Sequence, residues 1–160
     1  MNEEVLAVIR ASQPRRWTGV FMLVTIGILV IYVALAQPPQ LGWQVFLIVM
    51  GVGALWMADA LRRATEGWIE LTDTELRAHD GTVLARVEDV ISLDRGVFAF
   101  KPSNGFLIKT KTAPGRRWQP GLWWRLGRRI GVGGVTPGAQ TKFMSEMLAA
   151  MIMQRDGGGL

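Results

Sequence analysis

Two long apolar runs, Trp17 to Ala36 and Leu41 to Leu61, separated only by Gln37-Pro38-Pro39-Gln40, constrain this chain more than any other feature. The first run has Thr18, Thr25 and Tyr32 as its only polar side chains; the second has Gln44 near its start and Asp59 near its end. About twenty residues rising roughly 1.5 Å each cover the roughly 30 Å of hydrocarbon in a bilayer, so each run is long enough to cross. Hydrocarbon offers the backbone no water, which makes the spans helical, and so short a connection forces them antiparallel. Pro38 and Pro39 end the first helix and favour a tight turn. A cleaved signal peptide is set aside because the first run is too long and a second span follows directly.

The basic residues fix the expected orientation. Arg10, Arg15 and Arg16 precede the first span, Arg62 and Arg63 follow the second, and the connecting turn has none. That pattern predicts a multi-pass inner (plasma) membrane protein with both termini cytoplasmic. Trp17 and Trp43 stand where interfacial anchors belong, and Trp56, deeper, is expected against the partner helix. Asp59, one turn from the helix end with Arg62 and Arg63 beside it, reads as an interfacial acid rather than an ion site. Gly51, Ala54 and Ala58 offer a close-packing face, either for a partner span or for the hairpin itself.

The sequence ahead of the spans, residues 1–16, is short and mixed. Glu3 to Arg10 reads as a brief amphipathic helix on the membrane surface or as a frayed end. After Arg63 the pattern changes to short strand-forming segments separated by turn residues, enough for one domain over residues 64–156 with a flexible tail at 157–160. Strands are expected at Trp68 to Leu71, Thr74 to Ala78, Thr82 to Val87, Val90 to Leu93, Val97 to Phe100, Phe106 to Thr110 and Ile130 to Val135. His79-Asp80-Gly81 supplies a hairpin turn. Ala113 to Arg129 reads as a long excursion rich in Pro, Gly, Trp and Arg. Thr136 then serves as N-cap and Pro137 as first residue of a closing helix, with Phe143, Met144, Met147, Leu148, Met151 and Ile152 on one stripe.

Charge divides the domain. The net charge of +5 hides an acidic stretch, Glu66 to Asp94, followed by a stretch from Arg95 to Lys142 that contains bases only. Within the second, Arg116, Arg117, Trp118, Trp123, Trp124, Arg125, Arg128 and Arg129 interleave cations with large aromatics. Held near a leaflet, such a segment places indoles at the interface and guanidiniums on anionic headgroups; folded inward, its Trp residues become core. Nucleic acid is not an expected partner, since no recognition motif accompanies the aromatics.

Nothing converges on catalysis. The chain has no Cys and a single His, His79, which lies at a hairpin tip with only Asp80 beside it. Gly131-Val132-Gly133-Gly134 lacks the spacing of a phosphate loop and reads as a strand-to-helix turn. Glu88-Asp89 reads as a solvated strand entry, and Met144, Met147, Met151 and Met153 as core before an adaptable binding face. No enzyme, metal or cofactor is expected.

The layout resembles the bacterial pleckstrin-homology-like (PH-like) membrane proteins over roughly Gly67 to Arg155. The most family-like pieces are Glu66-Gly67-Trp68-Ile69-Glu70-Leu71-Thr72, Val87-Glu88-Asp89-Val90 and Arg129-Ile130-Gly131-Val132. The resemblance implies an α+β membrane protein: an N-terminal antiparallel transmembrane hairpin, then an antiparallel sheet or partial barrel capped by the amphipathic C-terminal helix. It also implies a non-catalytic binding or scaffolding role and lends no catalytic residues. Phosphoinositide binding is not implied, because the hairpin around His79-Asp80 is acidic. The expected function is a membrane tether or scaffold whose domain binds anionic lipid or a protein partner, a homo-oligomer included, with a subunit or assembly factor of a larger membrane complex as the alternative.

Overall fold

The computed structural model describes residues 3–96 and 101–158. The chain forms two compact units: Gln13–Arg63, and a second built from Met1–Ser12 together with Ala64–Leu160.

The first unit is a pair of helices, α1 (Gln13–Ala36) and α2 (Leu41–Ala64), both long and apolar enough to cross a membrane. They pack where side chains vanish. A Cβ on Gly27 would lie 2.9 Å from the Gly51 carbonyl oxygen, and one on Gly51 would lie 2.9 Å from that of Gly27 and collide with Ile31. Ala34 and Ala58 are buried on the same seam, and Val20, Ala58 and Leu61 cluster below it. Small residues let two helix backbones approach closely. The small-residue face of α2 is therefore spent on α1: Gly51 and Ala58 are buried and Ala54 is half-buried. Trp56 departs from expectation. It is 59% exposed, because the seam runs through Gly51 and Ala58 and leaves position 56 on the outward side. Asp59 pairs with Arg62 at 3.1 Å and with Arg63, and Arg16 donates to the Arg62 carbonyl at 3.0 Å.

The second unit has nine described strands and one long helix. A four-stranded sheet runs in the order β1-β2-β3-β4, formed by Val5–Arg10, Trp68–Thr72, Glu75–Ala78 and Val83–Arg86. A 3-10 turn, Val87–Asp89, leads into a five-stranded sheet in the order β5-β6-β9-β8-β7. Its strands are β5 (Val90–Asp94), β6 (Phe106–Thr110), β7 (Arg117–Gln119), β8 (Trp123–Leu126) and β9 (Arg129–Val132). All neighbours are antiparallel. The helix α3 (Gly138–Gly157) lies against β1, the 3-10 turn and β5.

β1 overturns the reading of residues 3–10 as a surface helix or a frayed end. Alternation decides the matter: Ala7 and Ile9 point into the core while Val8 and Arg10 stay outside, and the strand pairs antiparallel with β2 from Val5↔Thr72 to Arg10↔Trp68. A period of two cannot place a helix face, and burying Ile9 completely is worth about 1.5–3 kcal/mol. The two apolar helices are thus inserted between adjacent strands of one sheet. Both connections are held: Arg10 N donates to Gln140 Oε1 at 2.9 Å, Ser12 N to the Val135 carbonyl at 2.8 Å, and Thr65 is buried.

The core joins Ile9, Ile69, Leu71, Leu76 and Leu84 of one sheet with Phe106, Ile108, Trp123, Ile130 and Val132 of the other, and Met144 and Leu148 of α3. Met147, Met151 and Ile152 pack beside them, whereas Phe143, expected on the same stripe, is 53% exposed, as is Met153 at 74%. The helix also begins one residue later than expected. Pro137 is the cap residue, at φ −66 and ψ 129, and Thr136 is buried in the connection before it. The strand expected at Val97 to Phe100 lies outside the described residues.

Candidate functional site

The long excursion, where no strand is expected, contains a β-hairpin. Gln119-Pro120-Gly121 turns the chain, with Gly121 at φ 77, and β7 and β8 pair as Arg117↔Arg125, Trp118↔Trp124 and Gln119↔Trp123. Pro and Gly between two aromatic-rich segments were the available signal. Pairing then sorts the segment onto two faces, because residues directly opposite share a face.

The inner face takes Trp123, which is 1% exposed and donates its indole N–H to Gln119 Oε1 at 2.9 Å. Trp123 is therefore core and withdrawn from any partner. Arg117 and Arg125 close the corner between the two sheets. Arg117 donates to Asp80 Oδ2 at 2.8 Å and to Thr82 Oγ1 at 2.6 Å, and Arg125 to the Val83 carbonyl at 2.9 Å. Burial alone pushes the Asp80 carboxyl up, but hydrogen bonds from Thr82 and the Arg117 guanidinium outweigh it and hold the group below the usual carboxylate value. Burial, with Arg117 alongside, lowers the Arg125 guanidinium. Arg128 donates Nε–H to the Thr110 carbonyl at 2.9 Å. Three of the expected docking arginines are thus engaged with the protein itself.

The outer face keeps the rest. One row runs Trp118, Trp124, Gly131, Leu107, Asp94; the next runs Leu126, Arg129, Lys109, Ser92. Gly131 makes the first row possible, since a Cβ there would collide with the Trp124 indole and lie 2.8 Å from Pro102. Trp118 is 56% exposed and Leu126 55%, and Arg116, Arg129 and Lys109 are exposed around them. None of these three cations is ion-paired among the described residues. A shallow hollow of about 500 Å³ is lined by Trp118, Trp124 and Leu126 together with Arg116, Arg117 and Arg125.

The outer face of the four-stranded sheet carries the same residue types with the opposite outcome. Arg10 sits 4.9 Å over the Trp68 ring, Trp68 Nε1–H donates to Glu70 at 2.6 Å, and Arg77 reaches Glu70 at 3.3 Å and Glu3 at 3.0 Å. Acids neutralise that face.

The remaining candidates resolve as structure. Gly133 N donates to the Leu122 carbonyl and Gly134 N to that of Ser103, so these amides are spent on the chain rather than on a phosphate. His79 packs against Trp68 with ring centroids 5.2 Å apart and planes tilted by 40°, two residues before Gly81, whose φ is 80. Glu88 lies on the 3-10 turn, 3.6 Å from Arg86. Among the described residues no group of three His, Asp or Glu could hold a metal ion. Neither a protein-family model nor any curated protein matches this chain.

Proposed function

We propose that this chain is a non-catalytic, membrane-anchored binding protein whose β domain docks on anionic lipid through the outer face of its five-stranded sheet. The observation that carries the reading is the second row of that face with its neighbours: Trp118 and Leu126 exposed, ringed by Lys109, Arg116 and Arg129, none of them ion-paired among the described residues, with Asp94 at the β5 end of the face. Each such cation contributes on the order of 1 kcal/mol at an anionic surface, and the exposed indole and leucine add interfacial burial. The order of sheet, second sheet and closing helix supports a PH-like fold, with α1 and α2 as a transmembrane hairpin of a plasma-membrane protein.

β1–β2 pairing supports an even number of crossings, because Arg10 and Trp68 cannot pair across a bilayer. With Arg10, Arg15, Arg16, Arg62 and Arg63 flanking the hairpin, both ends are read as cytoplasmic. The subunit or assembly-factor alternative relied on the small-residue face of α2, and Gly51 and Ala58 are buried within the hairpin itself.

The test uses the full chain in phosphatidylcholine nanodiscs, cosedimented with phosphatidylcholine vesicles with and without phosphatidylglycerol. Binding is expected only to the anionic vesicles. The triple change of Lys109, Arg116 and Arg129 to Gln is expected to lower affinity by about tenfold or more. Undiminished binding by that variant would refute the surface.

A further inference from the structure

A groove in the β domain, separate from the lipid-facing sheet, lies between α3 and the β2–β3 turn. Its volume is about 960 Å³, at the upper end of the range typical of ligand sites. Val87, Met147 and Met151 line it with apolar surface, and exposed Ala150 stands on its helical wall. Met147, Ala150, Met151 and Gln154 recur at helical spacing, so the groove follows the axis of α3 and suits an elongated occupant. Unbranched methionines adapt to an apolar side chain of varied shape.

The charge at its rim is lopsided. Of the groups that line it, Asp73, Glu75 and Glu88 are acidic and Arg86 and Arg155 basic, and Glu75 shares Arg77, 3.9 Å away, with Glu3 and Glu70 on the neighbouring sheet face. Asp73 has no ion pair among the described residues. The two arginines that border the groove do not offset this. Arg86 is balanced by Glu88 at 3.6 Å. Arg155 turns its donors onto the Val87, Glu88 and Val90 carbonyls and onto Asp156. A surplus of carboxylates around an apolar trough repels an anionic membrane and attracts cations that bring apolar anchors with them.

We propose that this groove docks a cationic segment of a partner protein, its apolar side chains seated against Met147 and Met151 and its basic ones facing Asp73 and Glu75. The chain would then join two chemistries: anionic lipid at the five-stranded sheet and a basic protein segment at α3. This second surface does not depend on the first.

The experiment titrates a labelled amphipathic peptide of Leu and Lys into the full chain in phosphatidylcholine nanodiscs, with empty discs as the blank and the Leu and Glu counterpart as the charge control. Only the basic peptide is expected to bind. Ala150→Trp, which fills the groove from an exposed position, and Asp73→Lys, on an exposed turn, are each expected to weaken it by about tenfold. The proposal is overturned if neither peptide binds, if the acidic peptide binds equally, or if either variant binds like the wild type. It is also overturned if native mass spectrometry finds a phospholipid retained by the wild type and lost from Ala150→Trp, or if that variant abolishes self-association. Those outcomes would make the occupant a lipid or a second copy.

Discussion

Truncating Ile9 to Ala distinguishes a core strand from a loose N-terminal arm. Ile9 is fully buried between α3 and the two sheets, opposite Ile69 in the β1–β2 register, and removing three carbons from such a site costs about 2–5 kcal/mol when the surroundings relax only in part. Val8, its neighbour on the opposite face, is 37% exposed, and Val8→Ala is expected to cost less than about 1 kcal/mol. At roughly 4–8 °C per kcal/mol for a domain of this size, the first change lowers the midpoint of thermal unfolding by roughly 10 °C or more. The second lowers it by a few degrees. The measurement is thermal unfolding of the full chain in detergent by near-ultraviolet circular dichroism, with hydrogen exchange read on peptides covering Trp68–Thr72. Ile9→Ala should deprotect that segment and Val8→Ala should not. Equal, small effects of both changes would refute a strand at residues 5–10 and restore a frayed end.

Two further predictions concern the hairpin and the sheet corner. Gly51→Val places branched carbons against Ile31 and the Gly27 carbonyl and should separate α1 from α2, whereas Gly53→Val, where a Cβ meets nothing within 4 Å, should be tolerated; cross-linking of cysteine pairs across the seam reads the difference. Asp80→Asn keeps the acceptor that takes the Thr82 N–H but removes the charge facing Arg117. Because folding lowers the Asp80 carboxyl value, its contribution is fully present above the ordinary carboxylate value of about 3.9 and lost as pH falls through the lower folded value. The wild type should therefore unfold at a higher temperature than Asp80→Asn at neutral pH, and the gap should close only in strong acid; a gap that persists there would mean that the charge is not its cause.

Where side chains alternate or apolar length is unambiguous, the structure was legible in advance. The two long helices, the turn at His79-Asp80-Gly81 and the strand Phe106–Thr110 all follow from local pattern. What escaped depends on distant pairing. Val5-Leu6-Ala7-Val8-Ile9 is short and mostly apolar, so its period is ambiguous until β2, on the far side of both helices, supplies the partner. Composition marks the Trp and Arg segment as a candidate docking surface, but composition cannot say which indole faces inward. That sorting required register: Trp123 opposite Val132 joins the core, and Trp124 opposite Gly131 lies outside. The groove along α3 left no mark in sequence because its walls come from β1, the β2–β3 turn, the 3-10 turn and the closing helix.

Inserting the helical pair between β1 and β2 also ties folding to biogenesis. During synthesis β1 leaves the ribosome before its partner and must wait, unpaired and apolar, until both helices and then β2 have emerged. Should the helices enter a bilayer with their ends on opposite sides, the sheet could not close and Ile69 and Leu71 would lose their cover. With α1 and α2 read as a transmembrane hairpin, closure of the β domain would thus report that both ends of the hairpin lie on the same side, and a chain threaded the wrong way would be left with an open sheet edge.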